Sequence, residues 1–261
     1  MQTDNSLAFV RTIQLIGPDG FERLQKSHVA IFGAGAVGSF AAENIVRSGI
    51  GELTLVDFDK ITLSNVNRQL AALHSTVGQD KINALGRRLL DINPDLNLHL
   101  HAKFIDEQTL TELLKPTLHF VVDAIDSFTP KLNLIKMSRH FPIPVISSMG
   151  AAGRLDPTQV QIGRLDQTTV CPLAKRLRKF LRRCKVNTDQ ILTIYSTETP
   201  RKPLPPEQTV QEYHYARGRA RSVQGSVSFI PAIFGSYMAA IVVNALLEQV
   251  PVPAFCQRLL K

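Results

Sequence analysis

Gly33, Gly35 and Gly38 stand in the spacing G-x-G-x-x-G, directly after the apolar run HVAIFG and directly before a helical pattern. Glycine permits the tight turn and leaves backbone amides bare, and the start of the following helix adds partial positive charge. Such a loop suits a phosphate. Asp57 and Asp59 end the next apolar run, GELTLVDFD. An acidic residue about 20 positions after a glycine loop commonly bonds a ribose hydroxyl, in NAD and ATP sites alike. Three further features favour ATP. Asn65, Asn67, Arg68 and Gln69 form a polar run past the acidic strand end; an arginine there can neutralise a triphosphate and the amides can orient it. Lys81 begins a helix after Val77-Gly78-Gln79-Asp80 and can reach the phosphates. Asp123 and Asp126 close another buried strand, where a carboxylate would hold Mg2+, a hard ion served by one or two carboxylates plus phosphate oxygens.

The elements that must position these residues alternate. Strands are expected at 28–33, 51–59, 96–104, 118–126 and 144–150, with helices at 37–48, 79–93, 106–115 and 130–140 between them. That order implies right-handed crossovers and a Rossmann-like α/β fold, with a mainly parallel sheet and helices on both faces. Ligands in such sheets sit beyond the carboxyl ends of the strands, where the polar residues above fall. After residue 155 the pattern changes. TQVQIGRL alternates with period two and suggests an antiparallel strand. Residues 172–185 are a helix candidate, 199–222 read as a mobile proline- and charge-rich loop, and an apolar helix runs from near Phe229 to before Pro251. The expected organisation is one domain over 1–261, with an ATP-binding core at 1–155 and a substrate-facing, antiparallel extension at 156–261.

Composition narrows the setting. The longest apolar stretch, Ile230 to Leu247, is interrupted by Pro231, Gly235, Ser236 and Asn244, and reads as a buried helix rather than a bilayer span. The N-terminus lacks the basic start and apolar stretch of a signal peptide. Cys171, Cys184 and Cys256 form no C-x-x-C pair, which argues against a structural zinc site of the usual spacing and against a disulfide framework, so no structural zinc is expected. The expected location is the cytoplasm. A net charge of +8 points to an anionic partner.

Arg11, the glycine loop, D-x-D at 57–59, N-x-N-R-Q at 65–69, V-G-x-x-K at 77–81 and D-A-x-D at 123–126 occur in an order that resembles the ubiquitin-activating-enzyme-like superfamily. The resemblance implies ATP over the glycine loop, ribose on Asp57, phosphates on Asn67, Arg68 and Lys81, and magnesium on Asp126. It also implies that Arg11 enters the ATP site of a second copy, making a homodimer. The second half is similar to the tRNA threonylcarbamoyladenosine dehydratase branch, through GAAGRLDPT at 150–158, Pro172-Leu173-Ala174, Tyr195-Ser196-Thr197-Glu198 and GSVSFIP at 225–231. Cys171 departs from that pattern, which usually carries aspartate there. The branch implies ATP-dependent cyclisation, with loss of water, of a threonylcarbamoyl-modified adenosine in tRNA, and leaves room for a sulfur-relay protein partner.

A tRNA partner suits the charge. Lys175, Arg176, Arg178, Lys179, Arg182, Arg183 and Lys185 lie on one helix candidate whose apolar stripe is Leu177, Phe180, Leu181 and Cys184. Arg217, Arg219 and Arg221 form a second cluster. Phosphates are a natural target for both; an anionic membrane surface is the lesser alternative. Three other functions remain open on residues alone: an adenylating enzyme for the C-terminus of a ubiquitin-like sulfur carrier, a NAD-dependent oxidoreductase, and a noncatalytic RNA-binding scaffold.

Overall fold

The structure, a computed structural model, describes residues 5–141, 143–202 and 224–248. Seven strands form one sheet: β1 (His28–Phe32), β2 (Glu52–Val56), β3 (Asn97–His101), β4 (Phe120–Asp123), β5 (Val145–Ser148), β6 (Val160–Arg164) and β7 (Leu192–Ser196). Their order is β3-β2-β1-β4-β5-β7-β6. All neighbours are parallel except the β6–β7 pair, which is antiparallel. The expected fold class therefore holds, with β6 as the antiparallel edge. The strands after residue 155 extend this same sheet.

The helices are α1 (Val10–Gln25), α2 (Gly38–Arg47), α3 (Lys81–Ile92), α4 (Glu107–Leu113), α5 (Phe128–Ser138), α6 (Pro172–Arg183) and α7 (Phe229–Glu248). They cover both faces. Ile31, Leu53, Val122 and Ile194 on one face of the sheet pack with Ile45 of α2, Leu85 of α3 and Phe234 and Met238 of α7. Ala30, Phe32 and Val121 on the other face pack with Leu110 of α4 and Leu134 of α5. A third apolar cluster joins Ile135 of α5 to Leu177 and Leu181 of α6 and to Leu165 and Ile191.

Two elements have no counterpart in the sequence expectations. One is α1, whose pattern is broken in the middle by Gly17 (φ 75°) and Pro18. The other is β7, whose five residues are all buried; a strand covered on both faces shows no alternation. Within α6 the buried residues are Ala174, Leu177 and Leu181, while Phe180 is half-buried and Cys184 exposed, so the stripe is narrower than expected.

The helix α7 is long and apolar enough to cross a membrane, with a mean hydropathy of 1.9 over its most apolar window. In this fold Ile230, Phe234, Met238 and Val242 are fully buried. Close packing against α2 depends on Gly235: a Cβ there would lie 2.5 Å from the Val37 carbonyl oxygen and 2.8 Å from the Ala41 nitrogen. The two helices thus meet backbone to backbone at the first turn of α2.

Candidate active site

Strand order reverses between β1 and β4, since the chain leaves β1 towards β2 and β3 on one side and takes β4 and β5 to the other. A crevice forms outside the carboxyl ends of the strands at such a point, and the glycine loop sits there. Gly33 has φ 99°, and a Cβ on it would lie 2.8 Å from the carbonyl oxygen of Ala124, just past β4. A Cβ on Gly38 would fall 1.8 Å from the Gly33 carbonyl oxygen. Both glycines are therefore required by the turn itself. Gly35 differs: a Cβ there meets nothing closer than Gln69 Nε2 at 4.0 Å. The open cradle above Gly35, with Gln69 on its far side, is where a phosphate can approach bare backbone. The N-cap position of α2 is Val37, and no side chain caps its amides, so the first-turn donors have no side chain competing for an anion.

Asp57, at the end of β2, is buried and accepts from the Ala34 N–H (2.7 Å) and the Asp59 N–H (2.8 Å). It thereby ties the glycine loop to its own strand end. Each oxygen keeps a second lone pair for a hydroxyl. Burial pushes its pKa up, opposed by Lys81. Lys81 is itself buried, with Nζ 2.7 Å from Asp59 Oδ2. Burial alone would lower the ammonium's pKa; Asp57, Asp59 and Asp126 outweigh it and hold the group above the ordinary lysine value. Lys81 thus sits among the carboxylates of Asp57, Asp59 and Asp126. Asp126 is exposed, and its Oδ1 accepts from the Ser127 hydroxyl at 3.3 Å. The oxygen donors fit a hard ion such as magnesium.

The polar run divides its work. The Asn65 side chain is buried and accepts from the Thr62 N–H at 3.1 Å, so it shapes the turn rather than facing a ligand. Asn67 donates to the Ser226 carbonyl at 3.0 Å and accepts from Arg68 Nη1 at 2.9 Å, holding the arginine beside the segment that precedes α7. Gln69 is buried next to the cradle.

Asp123 does not face a ligand. It is fully buried and takes Lys131 Nζ at 2.7 Å, the Ser147 hydroxyl at 2.6 Å and the Ile125 N–H at 3.2 Å. Burial moves the Asp123 pKa up and the Lys131 pKa down. Lys131 was missed in the sequence reading although a signal existed: Lys131, Leu134, Ile135 and Ser138 are the buried residues of α5, a helical stripe with a lysine in it. Arg154 was also missed. Its Nη1 donates to the carbonyls of Gly150 (2.5 Å) and Ala152 (2.9 Å), while Nε and Nη2 are buried without a hydrogen-bond partner among the described residues. Cys171 and Arg154 both border Gly150: a Cβ on Gly150 would lie 3.7 Å from Cys171 Sγ and 3.8 Å from Arg154 Nη1.

The motifs of the second half are joined by hydrogen bonds. Glu198 accepts from the Leu155 and Asp156 amides, both at 2.9 Å. The Gly153 amide donates to the Gly225 carbonyl at 2.8 Å. On α6, Lys175, Arg176, Lys179, Arg182 and Arg183 are exposed, as is Lys185 beyond its end. Arg178 instead turns inward to the Thr168 carbonyl (2.7 Å) and hydroxyl, so it leaves the expected basic face. The Arg176 guanidinium lies over the Phe128 ring at 3.9 Å. Arg11 is exposed on α1. Arg217, Arg219 and Arg221 lie outside the described residues.

The fold has counterparts among known proteins. The profile of the ThiF family matches residues 9–261. A tRNA threonylcarbamoyladenosine dehydratase of Bacillus subtilis (strain 168) is 38% identical over 247 residues, spanning 94% of this chain and 96% of that protein. Among solved structures, the tRNA N6-threonylcarbamoyladenosine dehydratase of E. coli in complex with ATP superposes with a TM-score of 0.84 at 29% identity, covering 95% of this chain and 98% of that one. The same enzyme in complex with AMP gives the same figures.

Proposed function

The chain belongs to the ThiF family, and from that membership together with the glycine-loop site we propose that it is an ATP-dependent tRNA threonylcarbamoyladenosine dehydratase. The observation that carries the reading is the open cradle above Gly35, bordered by Gln69 and backed by the uncapped start of α2. The substrate is the N6-threonylcarbamoyladenosine beside the anticodon, and ATP is consumed with it. Its carboxylate is a poor electrophile. Attack by a carboxylate oxygen on the α-phosphorus of ATP gives an acyl adenylate and releases pyrophosphate. The neighbouring carbamoyl group then displaces AMP from the acyl carbon and closes the ring, so that one water is formally lost.

This chain's residues supply position and charge. Asp57 orients the ribose, the amides of residues 35–38 donate to phosphate oxygens, and Arg68 and Lys81 neutralise them. Lys81 rests on Asp59 at 2.7 Å. Asp126 would hold magnesium, which adds positive charge against the triphosphate. The exposed lysines and arginines of α6 take the tRNA backbone, in a domain of two parts: a nucleotide core at 1–155 and a substrate-facing extension at 156–261. We place the active form as a homodimer, with Arg11 reaching the site of the second copy. The support is on α1 itself, where Leu15 is 85% and Val10 45% exposed, apolar surface that a second copy would cover. A sulfur-relay protein is the further partner that the family resemblance leaves room for. The cytoplasm is the proposed location, and the burial of one side of α7 argues against membrane association.

The test is direct. The protein is incubated with ATP, magnesium and total tRNA, and the digested nucleosides are weighed by mass spectrometry. The modified adenosine is expected to lose one water, and Asp126→Ala is expected to abolish this while the circular dichroism spectrum is kept. An unchanged nucleoside, or full turnover in that variant, overturns the proposal. Adenylation of a sulfur carrier's C-terminus, the alternative reading, would instead show pyrophosphate exchange that depends on a carrier and leaves the nucleoside mass alone.

A further inference from the structure

The opposite end of the sheet carries a second polar cluster that the nucleotide chemistry does not use. His28 is the first residue of β1, Glu52 the first of β2, and His99 lies in the middle of β3. The ladders pair His28 with Glu52 and Thr54 with His99. Side chains alternate along a strand, so His28, Glu52, Thr54 and His99 all project from one face. Glu52 Oε1 lies 3.4 Å from His28 Nδ1 and 2.8 Å from His99 Nε2. The three ligand atoms are all within 4.8 Å of one another. None of the three side chains is sealed off: their exposures are 15%, 36% and 41% for His28, Glu52 and His99.

We propose that His28, Glu52 and His99 form a three-ligand site for a divalent transition-metal ion, zinc by its donor set. Zinc binds imidazole nitrogen and carboxylate oxygen at about 2.0–2.2 Å in tetrahedral geometry, which separates neighbouring ligand atoms by about 3.4 Å. The two separations from Glu52 lie at that value (3.4 Å) and 0.6 Å below it (2.8 Å), so small rotations of the side chains complete the cage. A buried partner orients one ligand: His28 Nε2 meets Thr54 Oγ1 at 2.8 Å. A proton held there leaves the Nδ1 lone pair towards Glu52, the arrangement that metal-ligating histidines take from their outer hydrogen bonds. His119 is engaged differently, with Nδ1 accepting the His28 backbone N–H at 3.0 Å, and is no ligand through that atom. Two neutral imidazoles and one carboxylate leave a fourth position for water. The ion would tie the first three strands together at the end remote from the glycine loop. The site uses histidine and glutamate, which explains why cysteine spacing gave no sign of it.

The full-length protein is stripped with a chelator and titrated with zinc chloride by calorimetry, without nucleotide. One zinc per chain is expected, with a Tm rise of about 5 °C at saturating zinc. His99→Ala and Glu52→Gln are each expected to weaken binding at least tenfold. Asp126→Ala serves as the control for zinc captured at the nucleotide site and is expected to bind as the parent does. Circular dichroism of the stripped variants establishes that they are folded. If the parent takes up no zinc, or if folded His99→Ala and Glu52→Gln bind it as tightly as the parent, the site does not exist.

Discussion

At the scale of single residues, the most telling position is Cys171. It is buried, occupies the N-cap of α6 and makes no capping hydrogen bond. Arg154 borders the same Gly150, and two nitrogens of its buried guanidinium have no hydrogen-bond partner among the described residues. Aspartate, the residue that the resembling family carries there, would supply both an N-cap acceptor, worth about 1 kcal/mol, and a countercharge for the arginine. Cys171→Asp is therefore expected to raise Tm by about 2–4 °C per kcal/mol gained, read by thermal melting; a lower Tm would show that Arg154 tolerates its surroundings as they are. The residues of the nucleotide site were legible because each has a type and a spacing. Gly33, Gly35, Gly38, Asp57 and Lys81 announce themselves by order along the chain. Asp123 and Asn65 were legible as polar residues at strand ends and turns, but not in their orientation. Whether a carboxylate faces a ligand or an internal lysine depends on Lys131, eight residues away on another element.

At the scale of elements, helix packing carries its own charge chemistry. Glu43 on α2 receives Arg47 from its own helix at 2.9 Å and Arg88 of α3 at 2.5 Å. Burial pushes the carboxyl up, but the hydrogen bonds from Arg88 and Arg47 outweigh it and hold the pKa below the usual glutamate value. A depressed folded-state pKa gives stability that is present above the unfolded value, about 4.3, and lost as pH falls through the folded one. Glu43→Gln is expected to cost about 1 kcal/mol at pH 7, because the arginines are half exposed and screened. The gap from the parent should close progressively below about pH 4.3, as followed by urea unfolding at several pH values. A gap that stays constant with pH would mean that packing, not charge, is lost. Elements with a clear period were legible in the sequence, including the antiparallel β6. Those missed were α1, where Gly17 and Pro18 interrupt the helical period, and β7, buried on both faces.

At the scale of the whole molecule, the dimer proposal has a quantitative consequence. If Arg11 completes the site of the other copy, Arg11→Ala and Asp126→Ala chains are each inactive alone. In an equal mixture, half the dimers pair the two variants, and each of those holds one intact site. Activity should return to about a quarter of the parent's; no recovery on mixing would place Arg11 in the site of its own chain or outside catalysis. The two-faced sheet, its parallel body and its ligand-bearing edge followed from the alternation of strand and helix, whereas the position of α7 against α2 could not be read from its uniformly apolar sequence. That position matters for the chemistry. With no side chain between the two backbones at Gly235, the phosphate helix has no cushion behind it. Even a methyl group at this interior point would act as a wedge, tilting the anion cradle from beneath, so selection for turnover reaches a glycine that never meets a reactant.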